Sequence, residues 1–367
     1  MSKHKVIGKI KMSSVKFTKA KISAVATCVP EFSVHLRDEC DKIYGGNRQK
    51  LEKIIKTIKL DKRHIVRGYT TASDLSHAAA TELFNGGIEK DNIDALICVT
   101  QTPDFMMPSN AAYLHGKLGL SEECSFFDVN QGCAGYVYGL WLAFSLIESG
   151  AASKVLLLVG DTISRTISQS DTNLAPLIGD GASATVIEKS QSESYFEILS
   201  NGEKFETIIR PNSGFRNASS SFFKDKRILE ASNLRSMNDM YMDGAGVFDF
   251  VLHCVPPLLS RTLKSAGKSA DEIDFLLLHQ ANEFMLNKVA KSAGFSEEQI
   301  PQGLTAQYGN LGSASIPAII THSIGEGLQQ DKRLSVAMAG FGVGLSWAGA
   351  VLELDGIYTP PMVFLKE

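Results

Sequence analysis

A cysteine flanked by a glycine turn is the first candidate for chemistry in this sequence. Cys133 stands in Gly-Cys-Ala-Gly, between a predicted short strand starting at Phe126 and a predicted apolar helix over 136–145. Free N–H groups and the dipole at a helix N-terminus favour a thiolate and can receive an oxyanion, so we expect a lowered thiol pKa and a nucleophile. The alternative is a small buried thiol in a tight turn, because cysteine is often buried without function.

Two polar residues of the second half could act with this cysteine. His279 ends a predicted buried strand and opens the motif His-Gln-Ala-Asn, and Asn310 lies in Tyr-Gly-Asn-Leu-Gly before a helix of small residues. Taken alone, each has a structural explanation. A histidine at a strand end is often a hydrogen-bonded core residue, and an asparagine between glycines is typical of a turn.

Several other chemistries are excluded by motif and composition. The turn Gly-Phe-Gly-Val-Gly at 340–344 lies between two predicted strands and lacks the strand-to-helix context of a nucleotide fingerprint. The six cysteines include no Cys-x-x-Cys pair, so we expect no metal site. Lys and Arg total 37 against 40 for Asp and Glu, a net charge of -3, which argues against a dedicated nucleic-acid partner.

The elements that must position these residues are predicted from alternating patterns. Short runs rich in Val, Ile and Leu alternate with helical patterns, at 94–100 and 154–160 in the first half and at 274–279 and 334–340 in the second. Such runs are typical of strands buried on both faces, so the pattern predicts an α/β fold with helix-covered sheets.

An internal repeat organises these elements. Gly87 and Gly267 lie 180 residues apart, as do Gly160 and Gly340 at the ends of two predicted strands. Collinear matches at one offset predict two similar α/β halves, which we place at 1–190 and 191–367. The polar segment 200–240 between them is predicted to be a surface excursion with little regular structure.

The N-terminal region indicates a cytoplasmic protein. The first residues are basic, but the apolar stretch that follows, 22–28, is too short for a signal peptide or a membrane span and is predicted to be a first strand. Scattered cysteines in apolar surroundings are typical of a reducing compartment. We therefore expect a soluble protein without a membrane partner.

Taken together, the motifs resemble a known family. Gly-Cys-Ala-Gly, His-Gln-Ala-Asn, Tyr-Gly-Asn with Ser-Ile-Pro, and Gly-Phe-Gly-x-Gly-Leu occur in the order and at the spacings of the β-ketoacyl-acyl-carrier-protein synthase III family of the thiolase superfamily. The resemblance covers about residues 20–355. It implies a thiolase-like duplicated fold with mixed sheets in five layers, αβαβα, in agreement with the repeat.

The resemblance implies a role for each motif. Cys133 would be the nucleophile, and neutral His279 and Asn310 would donate hydrogen bonds to the enolate oxygen. The backbone N–H groups of Cys133 and Val343 would form the oxyanion hole, and Phe341 would stand near the reacting thioester. The implied reaction is transfer of an acyl primer to the cysteine and decarboxylative Claisen condensation with malonyl-acyl-carrier protein (ACP).

The resemblance also implies partners. Met107 would reach across a homodimer to the partner's acyl pocket, and Asn282 would contact substrate. Lys288 and Lys291 could dock an acidic carrier protein, although lysines on a helix are usually solvated. Acyl-CoA or acyl-ACP and malonyl-ACP would be substrates, with no permanently bound cofactor.

Two departures suggest a divergent member of the family. Lys53 and Thr57 stand where the family has the Trp and Arg that hold coenzyme A, and Glu283-Phe284 follows His-Gln-Ala-Asn where an arginine is usual. The primer could therefore arrive on another carrier.

Three other functions remain open at this stage. The same scaffold could transfer the acyl group from Cys133 to a hydroxyl or amine, with His279 as the general base. It could also be a non-catalytic partner subunit or a cysteine hydrolase, although the three polar residues together oppose the first and the fold context opposes the second.

Overall fold

The structure is a computed structural model that describes residues 14–216, 227–230, 233–328 and 333–367. Residues 1–13 and part of the 200–240 segment lie outside these ranges.

The first sheet contains the predicted strands of the first half and has six members. They are β2 (Ala20–Pro30), β5 (Ala95–Val99), β6 (Ser125–Val129), β7 (Lys154–Asp161), β8 (Gly181–Lys189) and β17 (Val363–Leu365). Their order is β17-β2-β8-β7-β5-β6, which leaves β6 at one edge. The sheet is mixed, because β5 runs parallel to β6 and β7 while β8 is antiparallel to both of its neighbours.

The second sheet has five strands. They are β1 (Ser14–Phe17), β9 (Ser194–Ser200), β14 (Phe275–Leu278), β15 (Leu334–Gly342) and β16 (Ser346–Leu354). Their order is β1-β9-β16-β15-β14, with β14 and β15 parallel and the other pairs antiparallel. The strands predicted near 94–100, 154–160, 274–279 and 334–340 are confirmed.

Six short strands pair outside the two sheets. They are β3 (Ser33–His35) with β4 (Lys62–His64), β10 (Ile208–Ile209) with β13 (Tyr241–Met242), and β11 (Arg227–Glu230) with β12 (Asn233–Arg235). The 200–240 segment therefore contains more regular structure than its composition predicts.

The helices include the one predicted to follow Cys133. They are α1 (Cys40–Tyr44), α2 (Arg48–Ile58), α3 (Ala72–Asn85), α4 (Asn110–Leu118), α5 (Gly135–Ser149), α6 (Gly244–Ala266), α7 (Glu283–Ser292), α8 (Leu304–Tyr308), α9 (Ser315–Ile319) and α10 (Gly325–Leu328). Short 3-10 helices occur at Leu36–Glu39, Lys90–Asn92, Ile163–Thr166, Gly202–Thr207, Ala270–Glu272, Glu297–Gln299 and Gly312–Ala314, and one π turn spans Ile320–Ile324. Local sequence fixes several ends; for example, the Asp243 side chain accepts a hydrogen bond from Gly246 N–H at the start of α6.

The two sheets and the helices stack in five layers. Helices α5 and α9 pack between the sheets in one apolar core. The outer face of the first sheet is covered by α3 and α4, and that of the second sheet by α6 and α7. Strand β5 shows why its sequence is apolar throughout, because Ile97 belongs to the central core and Leu96 to the outer one. The expected αβαβα architecture is confirmed.

The terminal strands cross between the halves. β1 pairs with β9 in the second sheet, and β17 pairs with β2 in the first. The division into 1–190 and 191–367 therefore remains a prediction. Within the described ranges, no helix has the length and apolar character needed to cross a membrane.

Candidate active site

One pocket brings the three polar candidates together. It has a volume of about 900 Å³ including its open mouth, and Cys133, His279 and Asn310 all line it. Phe341, Val343 and Asn282, which were predicted from the family motifs, line it too. Its remaining wall is mostly apolar, with Ile163, Leu174, Leu177, Ile178, Ile208, Met240, Met242, Val247, Val251, Ala281 and Met285.

Close backbone approach places Cys133 against the second half of the chain. The cysteine lies in the turn between β6 and α5, and β15 ends beside it. A Cβ atom on Gly342 would lie 2.8 Å from the Cys133 Cβ and 2.9 Å from its Sγ, and one on Gly340 would lie 2.9 Å from the Cys133 carbonyl oxygen. Only glycine allows this contact, which explains the glycine-rich turn at 340–344.

Two backbone N–H groups point at the Cys133 sulfur. The N–H groups of Cys133 and Val343 both hydrogen-bond the thiol and act to lower its pKa. The Ser346 hydroxyl holds the Val343 turn, because it donates to the Val343 carbonyl at 2.7 Å. The two donors that converge here are the ones that the family resemblance predicts for an oxyanion hole, and that role remains a prediction.

The prediction of a lowered thiol pKa is wrong. Burial and, to a smaller extent, the nearby Asp161 carboxylate raise the pKa of Cys133 to about 12, although the two N–H donors act to lower it. The cause is the apolar wall of the pocket, which disfavours a thiolate more than the start of α5 favours it. Cys133 therefore rests as a neutral thiol, which would need a base to react as the nucleophile that the sequence predicts.

His279 supplies an unprotonated ring nitrogen. Its Nδ1 lies 3.1 Å from the Gly312 carbonyl, which can only accept, so Nδ1 carries the proton. Burial lowers the pKa of His279 to about 4, although the bond to Gly312 acts to raise it. The Phe341 ring packs edge-on against the imidazole, with ring centroids 5.6 Å apart. In that tautomer the remaining nitrogen, Nε2, accepts hydrogen bonds, whereas the family resemblance implies that neutral His279 donates one to the enolate oxygen; that role remains a prediction.

Asn310 presents an amide donor. Its Oδ1 accepts a hydrogen bond from the Gly312 N–H at 3.0 Å, which leaves the NH₂ group as the donor available to the pocket. Its backbone is held by Leu177 and Gly179 of the first half, through bonds of 2.8 and 3.0 Å. Gly312 thus contacts both polar residues of the second half.

Sequence patterns did not identify Asp161, which also lines the pocket. It is the last residue of β7, follows Gly160 of the repeat, and is 2% exposed. A carboxylate at the end of a predicted buried strand is the sequence signal that could have found it. Burial raises its pKa to about 6, against the effect of its hydrogen-bond donors.

The polar segment after 200 forms part of the pocket wall. Ile208 and Met240 line the pocket from this segment, and Met242 of β13 follows. A buried ion pair anchors it, because Arg235 Nε lies 2.5 Å from Asp171 Oδ2 and both side chains are at most 2% exposed. Composition alone gave no signal for this contact, which joins residues far apart in the chain.

Other predicted residues lie outside the pocket. Met107 is 87% exposed, and Lys288 and Lys291 lie on the outer face of α7. Lys53 and Thr57 also lie on an exposed helix, α2. None of these five lines the cavity that contains Cys133.

The described residues contain no group of three or more His, Cys, Asp or Glu side chains that could hold a metal ion. All six cysteines are free thiols.

Comparison with known proteins gives one consistent family. Residues 127–202 match the family described as 3-oxoacyl-[acyl-carrier-protein] synthase III, and residues 263–354 match its C-terminal part. A Campylobacter jejuni protein provisionally named a 3-oxoacyl-[acyl-carrier-protein] synthase 3 is 38% identical over 96% of this chain and 99% of its own. A Lactococcus lactis β-ketoacyl-[acyl-carrier-protein] synthase III is 35% identical over 92% of this chain and 100% of its own.

Solved structures agree with these matches. The crystal structure of a 3-oxoacyl-(acyl-carrier protein) synthase from Burkholderia xenovorans is 36% identical, covers 96% of this chain and 99% of its own, and superimposes with a TM-score of 0.89. Likeness of this extent, with the motif residues gathered in one pocket, establishes the relationship. The chain belongs to the 3-oxoacyl-[acyl-carrier-protein] synthase III family of the thiolase superfamily.

Proposed function

We propose that this acyltransferase joins an acyl primer to malonyl-ACP by decarboxylative Claisen condensation and releases a 3-oxoacyl-ACP. The observation that supports this most strongly is the convergence of Cys133, His279 and Asn310 on one pocket, beside two backbone N–H donors. A thiol, a base, an amide donor and an oxyanion hole are the groups that this reaction needs.

The first step is acyl transfer to the cysteine. Nε2 of His279 accepts the thiol proton as Cys133 attacks the thioester carbonyl, and the N–H groups of Cys133 and Val343 hold the tetrahedral oxyanion. Collapse breaks the bond to the carrier sulfur, which leaves as a thiol with the proton from His279. The product is an acyl thioester on Cys133 and a neutral imidazole.

The second step forms the carbon–carbon bond. Malonyl-ACP loses CO₂, and the charge that develops on its thioester oxygen is held by the Asn310 amide. His279 donates to the same oxygen only after it has taken up the one proton that the overall reaction consumes. The carbanion attacks the acyl group on Cys133, and His279 returns that proton to the departing cysteine sulfur.

The substrates are a primer thioester on coenzyme A or a carrier protein and malonyl-ACP, and the chemistry uses no resident cofactor. For carrier docking we propose the outer face of α7 beside the pocket. The rings of Phe248 and Phe284 stack there at 6.3 Å, and Lys288 Nζ lies 4.8 Å from the Phe284 ring centroid. Lys291 adds a second positive charge to this face, which suits an acidic partner.

We also propose a homodimer through the β6 edge of the first sheet. The Phe126 ring on β6 is 44% exposed, and Phe105, Met106 and Met107 are more exposed still. Ring contacts of Phe105 and Phe126 with α4 join these residues in one apolar surface. An unpaired strand edge beside such a surface favours pairing with a second copy. We propose the cytoplasm as the location, where the buried thiols would stay reduced.

Two single variants test the reaction. Cys133→Ala should abolish acylation, detected as a mass increase of the intact protein after incubation with acyl-CoA or acyl-ACP. Asn310→Ala should still acylate but release CO₂ from malonyl-ACP about 100-fold more slowly, since it lacks the resting donor. Transfer of the acyl group from wild type to an alcohol or amine without CO₂ release would instead establish the transferase alternative.

A further inference from the structure

A buried carboxylate that the reaction above does not use joins the two halves at the active site. Asp161 of the first half accepts hydrogen bonds at Oδ1 from the Gln101 N–H at 2.7 Å and from the hydroxyls of Thr100 and Thr102 at 3.1 and 3.2 Å. Its Oδ2 accepts one from the Ser313 hydroxyl of the second half at 2.9 Å. Three donors of the first half thus fix the carboxylate, and its fourth hydrogen bond links it to the second half of the chain.

Ser313, which donates to Asp161, belongs to the turn that contacts the side chains of both His279 and Asn310. Ser313 is fully buried and directly follows Gly312. The Gly312 carbonyl accepts from His279, and the Gly312 N–H donates to Asn310. A shift of Gly312 would therefore displace both side chains together.

We propose that Asp161 is a positioning residue for the decarboxylation step, because its bond to Ser313 fixes the turn from which Asn310 and His279 meet the substrate oxygen. This inference rests on the proposed condensation. Decarboxylation needs donors converging on one oxygen and should be sensitive to small displacements, whereas acylation needs mainly a proton acceptor near the sulfur.

The charge of Asp161 supports a functional position. Within the described ranges, no Lys, Arg or His side chain forms an ion pair with it. Its negative charge raises the pKa of two nearby thiols, Cys98 and Cys133. A carboxylate buried without a cation is costly to keep ionised. All four partners are donors, so a carboxylate accepts every one of these bonds, whereas the NH₂ group of a neutral amide could not accept the one from Ser313.

Two hydroxyl deletions form a matched test, since each removes one donor from the same carboxylate. Ser313→Ala cuts the bond to the turn, and Thr100→Val cuts a bond within the first half. We expect Ser313→Ala to slow CO₂ release from malonyl-ACP about 10- to 100-fold, with a much smaller change in acylation of Cys133. Thr100→Val should leave both rates close to wild type.

The outcomes separate the two proposals. If wild type releases no CO₂, the proposed condensation fails. If wild type is active and Ser313→Ala equals Thr100→Val in both rates, the positioning role is overturned while the condensation stands.

Asp161→Asn provides a readout that a purely structural role would not give. The amide removes the charge, so the pH profile of Cys133 alkylation by iodoacetamide should shift to lower pH. Its NH₂ group cannot accept the hydrogen bond that the Ser313 hydroxyl donates to Asp161, so the contact with the turn is also disturbed. Thermal unfolding at pH 8 should move to higher temperature while CO₂ release falls. A destabilised variant with an unshifted alkylation profile and normal CO₂ release would contradict the proposal.

Discussion

Gly342 sets the distance between the reactive sulfur and the second half of the molecule. A Cβ atom there would lie 2.9 Å from Cys133 Sγ, well inside van der Waals contact. Gly342→Ala should therefore displace the sulfur and reduce the rate of Cys133 acylation by about 100-fold, measured by mass spectrometry of the intact protein. Gly202→Ala is the control, because nothing lies within 4 Å of a Cβ at that position. Equal acylation of the two variants would contradict this account.

The resting protonation state of Cys133 is testable by its pH dependence. Because burial raises the thiol pKa to about 12, the thiolate fraction grows throughout the accessible pH range. We expect the iodoacetamide alkylation rate to rise about tenfold per pH unit from about pH 7 to 10. A plateau near neutral pH would show a stabilised thiolate instead.

At the scale of residues, the sequence indicated which side chains share the pocket, but it did not predict their protonation states. The motifs identified Cys133, His279 and Asn310, and the structure gathers them in one pocket. The prediction of a lowered thiol pKa was wrong because it considered only the helix start next to Cys133, which the local sequence reveals. The apolar wall that raises the pKa comes from segments distant in the sequence. The tautomer of His279 depends on the Gly312 carbonyl, a backbone contact that spacing does not reveal.

At the scale of elements, a buried ion pair ties the segment after 200 to the pocket wall. Arg235 pairs with Asp171, which also accepts from the Leu174 N–H at 3.0 Å. Arg235→Met would leave the buried carboxylate unpaired and should lower the free energy of unfolding by about 3–5 kcal/mol, measured by urea denaturation. The exposed pair Lys16–Glu193 is the control, and Lys16→Ala should change stability little. Similar losses in both variants would contradict the anchoring role.

The long strands were predictable and the short ones were not. β5, β7 and β15 are apolar throughout because both faces are covered, and this pattern is visible locally. β10 and β13 have two residues each and pair across more than thirty positions, so they depend on tertiary contacts alone. The repeat predicted the layering but not the wall that the segment between the halves adds to the pocket.

For the whole molecule, the proposed dimer edge gives a matched pair of substitutions. Phe126 and Phe364 lie on the two edge strands of the same sheet and are 44% and 46% exposed. Phe126→Glu should produce monomers in analytical ultracentrifugation, because it places charge in the apolar surface around β6. Phe364→Glu should leave the oligomeric state unchanged. A dimer that persists in Phe126→Glu would exclude this interface.

The free energy of unfolding should depend on pH because of a second buried carboxylate, Asp180. Burial raises its pKa to about 6, from a usual value of 3.8. The folded state therefore binds more protons than the unfolded state between these values, and this contribution to stability falls as pH rises through them. Relative to Asp180→Asn, wild type should lose about 3 kcal/mol between about pH 4 and 7 in urea unfolding. A difference independent of pH would contradict the buried charge.

The crossing of the terminal strands bears on how the chain is made. β1 completes the sheet of the second half, and β17 joins the sheet of the first half through the parallel pairing of Val363 with Cys28. Residues 363–365 must therefore be synthesised before the first sheet, most of which lies in the first half of the chain, acquires its edge strand β17. Neither sheet can be completed by its own half of the chain alone. Two fragments made by dividing the gene at the midpoint would therefore each lack one strand that the other fragment carries.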